Sequence, residues 1–160
     1  MTPIDAQLLD FTDALGVAIE YTTSLREDRD GEYIHHRKLI RLRPEMHARK
    51  HRSIFAHEIG HAVFGDTPSR FGPVHAKQER RAEEWAALRL IDLHDYRHAE
   101  QAHQGHLGAM ALELDVLRST VQAFQQLLLR VGDTAYVGPR IGAGQWIHRF
   151  STATQSLESS

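Results

Sequence analysis

Apolar residues recur at helical spacing from the start of the chain. Ile4, Leu8, Leu9, Phe11 and Leu15 form one stripe, with Thr2 placed to cap it, Pro3 in its first turn and Gly16 as a stop signal. The spacing predicts a helix over 3–15. The period then falls to two. VAIEYTTS alternates apolar and polar positions and is rich in β-branched and aromatic residues, LREDRDGE supplies a charged turn, and EYIHHRKLIRLRP alternates again before Pro44 ends it. Strands near 17–24 and 33–43, joined as a hairpin, are the expectation.

Helical spacing returns over 45–64, where Met46, Ile54, Phe55, Ile59 and Val63 are the apolar positions. GDTPSRFGPVH reads as a loop, Ala76 to Asp92 as a third helix rich in Ala, Glu and Leu, and 95–130 as further helix interrupted at Gly105 and Gly108. From Gly132 the periodicity is lost. This predicts an irregular tail over 132–160, its last ten residues disordered.

Composition narrows the picture. With 160 residues, 41% hydrophobic and 25% charged, the chain suits one globular domain, placed at 1–131. A formal charge of −2 provides no global basic field, so a nucleic-acid contact would need a local patch. The chain has no cysteine, which removes thiolate ligands and suits a reducing compartment. The first residues carry neither a positive leader nor a membrane-length apolar run, and a cytoplasmic protein is expected.

Within the second helical stretch lies His57-Glu58-Ile59-Gly60-His61. In a chain with 12 histidines, an H-E-x-x-H arises by chance with odds on the order of 5%, so the motif needs support from elsewhere. On a helix, His57 and His61 lie about 40° apart and one turn along, so both imidazoles can converge on one tetrahedral zinc. Glu58, about 100° away, stays off the metal and can act as general base towards a water. Gly60 would admit a close neighbour.

The third helical stretch offers further ligands. With Glu79 at zero on its wheel, Ala82, Glu83, Ala86 and Leu90 all fall within about 60°, whereas Glu84 points roughly 140° away. Acidic residues on the apolar stripe are costly unless a metal or partner holds them. Glu79 is therefore assigned as third zinc ligand and Glu83 as acceptor for an outer histidine nitrogen, with His75 as the alternative ligand.

HEIGHAVFG followed by ERRAEEWAALRLI resembles the ImmA/IrrE family of metallopeptidases, whose signature is an HExGH helix and then a helix of the form E-x-x-A-(Asn/Asp)-x-(Phe)-A. Glu79, Ala82, Trp85 and Ala86 match the second motif, with Trp85 in place of Phe, Glu83 in place of Asn or Asp, and Asp92 where a proline often closes the helix. The resemblance covers roughly residues 1–130. It implies an α+β, zincin-like fold: a small antiparallel sheet of two or three strands packed on a mainly helical domain. It further implies a gluzincin-like zinc endopeptidase, one Zn2+ per chain, that cleaves a helix-turn-helix repressor in phage or mobile-element regulation. The alternative is an anti-repressor that binds the repressor without cutting it, around a structural or vestigial zinc site.

Three further features carry expectations. Tyr96 and His98 are candidate donors to the oxyanion of such a reaction. The strand around His35 and Arg37 is a candidate for holding substrate backbone by strand addition. The basic run RKLIRLRPEMHARKHR and the helix-turn-helix-like segment 106–130 raise a DNA-binding reading, but the latter holds few cations, and docking or packing surface is the expectation there.

Overall fold

The computed structural model describes residues 2–129 in full, and as backbone alone the end of a helix at 130–131 and two strands, Thr134–Pro139 and Trp146–Ser151. Two compact units divide the chain after Ala86.

In the first unit, α1 spans Pro3–Leu15. Thr2 and Asp5 close a reciprocal capping box at its start, and Gly16 ends it in the left-handed region at φ 67°. Three short strands follow, β1 (Ala18–Tyr21), β2 (Gly31–Ile34) and β3 (Leu39–Leu42), in the order β1-β3-β2. β3 pairs parallel to β1 and antiparallel to β2.

This sheet is mixed, where an antiparallel hairpin of two longer strands was expected. The expected second strand breaks at a 3-10 turn, His35–Arg37, closed by Lys38 at φ 48°. The segment thereby becomes a hairpin in its own right. LIRL, its most apolar stretch, takes the central place, with Leu39, Ile40 and Leu42 buried. On the outer face, Arg41 bridges Glu20 of β1 at 3.4 Å and Glu32 of β2 at 2.7 Å.

α2 spans Ala48–Phe64 and starts later than its periodicity predicts, because Glu45 takes φ 64° and His47 caps the helix through Lys50 N. α3 spans Gly72–Leu90 and starts earlier. Its Gly-Pro pair, read as loop, occupies the first turn, where a proline's missing N–H costs nothing. His75 is thus helical.

Much of the basic run is spent on carboxylates: Arg41 on Glu20 and Glu32, Arg43 and Lys50 on Asp30, and Arg52 on Asp5.

The second unit comprises the end of α3 with α4 (Leu93–His103), α5 (Leu107–Leu114) and α6 (Arg118–Val131), around a core that includes Ile91, Tyr96, Met110, Val121 and Phe124. Asp92, where the resemblance led to a proline, caps α4 by accepting from the backbone N–H groups of His94 and Asp95. α5 and α6 form the helical pair expected over 106–130. Within the expected tail, β4 (Thr134–Pro139) and β5 (Trp146–Ser151) pair antiparallel. The remainder of the tail, its last residues included, lies outside the described residues. No helix among the described residues is long and apolar enough to cross a membrane.

Candidate metal centre

α2 presents His57 and His61 one turn apart, with their Nε2 atoms 3.1 Å from each other. α3 brings Glu79 to both: Oε2 lies 3.2 Å from His57 Nε2 and Oε1 3.3 Å from His61 Nε2. Ligand atoms on a tetrahedral zinc with bonds of about 2.0–2.1 Å stand roughly 3.3 Å apart. Glu79 offers a different oxygen to each histidine, both at close to that spacing, and His57, His61 and Glu79 are the metal-capable cluster among the described residues. His75 lines the same cleft but is not one of the three.

Both outer nitrogens are held. His57 Nδ1 lies 2.6 Å from Glu83 Oε2, and His61 Nδ1 lies 2.9 Å from Asp66 Oδ2. Asp66, 8% exposed, also accepts from Arg81 Nη2 at 2.6 Å, while that guanidinium stacks over Phe64. Each imidazole thus has its ring orientation fixed by a carboxylate, which leaves Nε2 to face the metal position. Glu83 occupies the place expected for it. Asp66 was not anticipated; its one signal in the sequence is an acidic residue directly after Gly65, the glycine that ends the histidine helix.

The helices meet where side chains are smallest. A Cβ added to Gly60 would lie 2.8 Å from the carbonyl oxygen of Ala82 and 2.9 Å from its Cα, so α2 and α3 touch backbone to side-chain-free backbone. Ala82 and Ala86 are fully buried. This contact sets the separation at which Glu79 reaches both histidines.

Glu58 stands beside the cluster, buried, with β2 across from it. A Cβ at Gly31 would sit 3.2 Å from Glu58 Oε1 and 2.8 Å from Ile54 Cγ2, so only glycine leaves that carboxylate its room. Burial pushes the Glu58 carboxyl above its usual range, while the charges of His57 and His61 pull it back. Burial disfavours a charge on His57, but hydrogen bonds to Glu79 and Glu83 outweigh it and raise the imidazole to about 10. His61 is raised by the same opposition of burial and Glu79. Hydrogen bonds from the two histidines hold Glu79 well below the usual carboxylate range. An environment this favourable to protons on Nε2 is equally favourable to a dication there.

The cleft over this cluster has a volume of about 820 Å³, and the residues lining it all belong to the first unit. Tyr33, His35, His36 and Asp30 from β2 and its flanks form one wall. One expectation needs correction. His35 and Arg37 fall in the 3-10 turn after β2 rather than on a strand, because the left-handed Lys38 reverses the chain there; His35 lines the cleft and Arg37 is exposed. Tyr96 and His98 lie in the second unit. Tyr96 is 3% exposed, packs on Phe124 and donates to Glu100 at 2.7 Å, while His98 is exposed beside Glu113.

The family model described as Peptidase_M78, IrrE N-terminal-like domain, matches residues 12–123. No curated protein matches the chain. Among solved structures, the fold is similar to that of a Mycobacterium tuberculosis transcriptional regulator, with a TM-score of 0.56 and 15% identity over 93% of this chain and 49% of that one. At that identity the likeness concerns the fold alone, and this chain spans about half the length of its neighbour.

Proposed function

Since the chain belongs to the IrrE N-terminal-like (Peptidase_M78) family, we propose that it is a zinc-dependent endopeptidase whose substrate is a helix-turn-helix transcriptional repressor. The family points to a metallopeptidase. The observation that carries it is the meeting of His57 Nε2, His61 Nε2 and Glu79 beside a buried carboxylate that is not itself one of the three.

In this reading His57, His61 and Glu79 hold the ion, while Glu83 and Asp66 fix the imidazoles. Zinc would supply a polarised carbonyl and a water acidified to a pKa of roughly 7. Glu58 takes the proton of the attacking water as its oxygen bonds to the carbonyl carbon. It returns that proton to the leaving nitrogen as the C–N bond breaks. Burial favours proton uptake by Glu58, which suits the first of these tasks. β2 is an edge strand of its sheet and borders the cleft, which supports substrate backbone lying extended along it, at Gly31–Ile34 rather than at Arg37.

The regulatory setting rests on the resemblance of the two motifs and on a structural neighbour titled a transcriptional regulator. The test is Glu58→Gln in the zinc-loaded protein, incubated with the candidate repressor. Cleavage by the wild type and a loss of about 10²–10⁴-fold in the variant is the expected result. If the variant keeps its zinc and still relieves repression, the protein acts by sequestering its partner without cutting it.

A further inference from the structure

Attack on a peptide carbonyl builds negative charge on its oxygen, and catalysis gains from a neutral hydrogen-bond donor aimed at that oxygen. β2 supplies one. Alternate residues of a strand share a face, so Gly31 and Tyr33 both look inward, paired with Leu42 and Ile40, which are fully buried. At Gly31 this face meets Glu58. Just beyond the strand, the His35 ring lies over Gly65, the cap of α2, with its Cε1 3.3 Å from where a Cβ would be. The segment therefore follows α2 from the turn of Glu58 to the helix end. Tyr33 falls between those two contacts, as His61 does on the helix. Tyr33 and His35 both line the cleft, and the phenol oxygen lies 2.9 Å from His35 Nδ1.

We propose that Tyr33 is a further catalytic residue of this centre, its phenol O–H hydrogen-bonding the oxyanion, with His35 the positioning residue that holds the phenol through Nδ1. This rests on the peptidase reading above. When His35 Nδ1–H donates to the phenol oxygen, the phenol proton is free to turn into the cleft. Burial raises the Tyr33 pKa and so keeps that proton in place at neutral pH. Water oxygen bonds to carbon, the carbonyl electron pair moves to oxygen and Glu58 takes the proton. On collapse the C=O re-forms, the C–N bond breaks and Glu58 protonates the nitrogen. Tyr33 keeps its own proton throughout.

The test uses the full zinc-loaded chain, a library of internally quenched peptides and a peptidyl phosphonate carrying the best cleaved sequence. Tyr33→Phe is expected to lower kcat by roughly 10²-fold, to leave KM within a few fold, and to weaken the phosphonate while the cleavage product binds unchanged. His35→Ala is expected to lower kcat less, and to add nothing to Tyr33→Phe. In the metal-free protein, Tyr33→Phe should shift the His35 ring nitrogen resonance, a readout independent of turnover. If wild type cleaves, Glu58→Gln does not, and Tyr33→Phe cleaves at the wild-type kcat, the role of Tyr33 is wrong and the peptidase reading stands. If wild type cleaves nothing and ignores the phosphonate, the peptidase reading fails and the role of Tyr33 falls with it.

Discussion

Gly60 of α2 lies against the backbone of Ala82 in α3, with 2.8 Å between the Ala82 carbonyl oxygen and the place where a Cβ would stand. The two histidines are on one of these helices and the third metal-capable residue is on the other. The contact thus governs whether a single ion can be reached from both.

Gly60→Ala should push the helices apart. Overpacking costs about 1–3 kcal/mol, set against about 1 kcal/mol of improved helix propensity, so the net loss in urea denaturation is small. Zinc affinity, measured by chelator competition, should fall at least tenfold, and Gly60→Val, which is bulkier and gains less propensity, should lose more in both measurements. Wild-type zinc affinity in both variants would show that the close approach is not what aligns Glu79.

Glu79→Ala should abolish stoichiometric zinc, whereas His75→Ala should keep about one ion per chain, because Glu79 and not His75 joins the two histidines in the cluster. Elemental analysis of the purified variants decides between them. The reverse pattern would move the third ligand to His75.

Asp66→Asn should weaken zinc by about 10–100-fold without removing any metal-binding atom, because it exchanges the carboxylate that orients His61 for a neutral amide. Glu83→Gln should do the same through His57. Zinc affinities unchanged in both would mean that the imidazoles are oriented by packing alone.

The pair Asp5 and Arg52, 2.9 Å apart, predicts acid sensitivity. Hydrogen bonds from the buried Arg52 guanidinium hold the Asp5 carboxyl well below its usual range. Its stabilisation is therefore present above the unfolded value of about 3.9 and lost as pH falls through the folded one. Asp5→Asn should cost about 1–3 kcal/mol at pH 7. That gap from wild type should shrink progressively below about pH 4, and a gap constant down to pH 2 would contradict the assignment.

The helices and most of the centre were legible in the sequence because a period of 3.6 places both the apolar stripe and the ligands. His57, Glu58, His61, Glu79 and Glu83 all follow from wheel positions on two helices. The sheet was less legible. A strand of four residues carries too few alternations to fix its ends, and nothing local distinguishes a hairpin turn at Asp30-Gly31 from the reversal at Lys38. Asp66 escaped because the chain reversal at Gly65 that brings it to His61 is not encoded in periodicity, and Tyr33 because a strand of four residues does not announce that it walls a cleft.

The charge ladder on the outer face of the sheet has a consequence for the inner one. Glu20, Arg41 and Glu32 can meet only when β2 is aligned as it is, with Gly31 opposite Leu42. A slip of one residue would turn every side chain of β2 over. Glu32 would then face Glu58 where glycine now leaves room, setting one carboxylate against another. The ladder thus acts as an alignment check, made through side chains that bear no part in the chemistry, that keeps this wall of the cleft from closing on its own base.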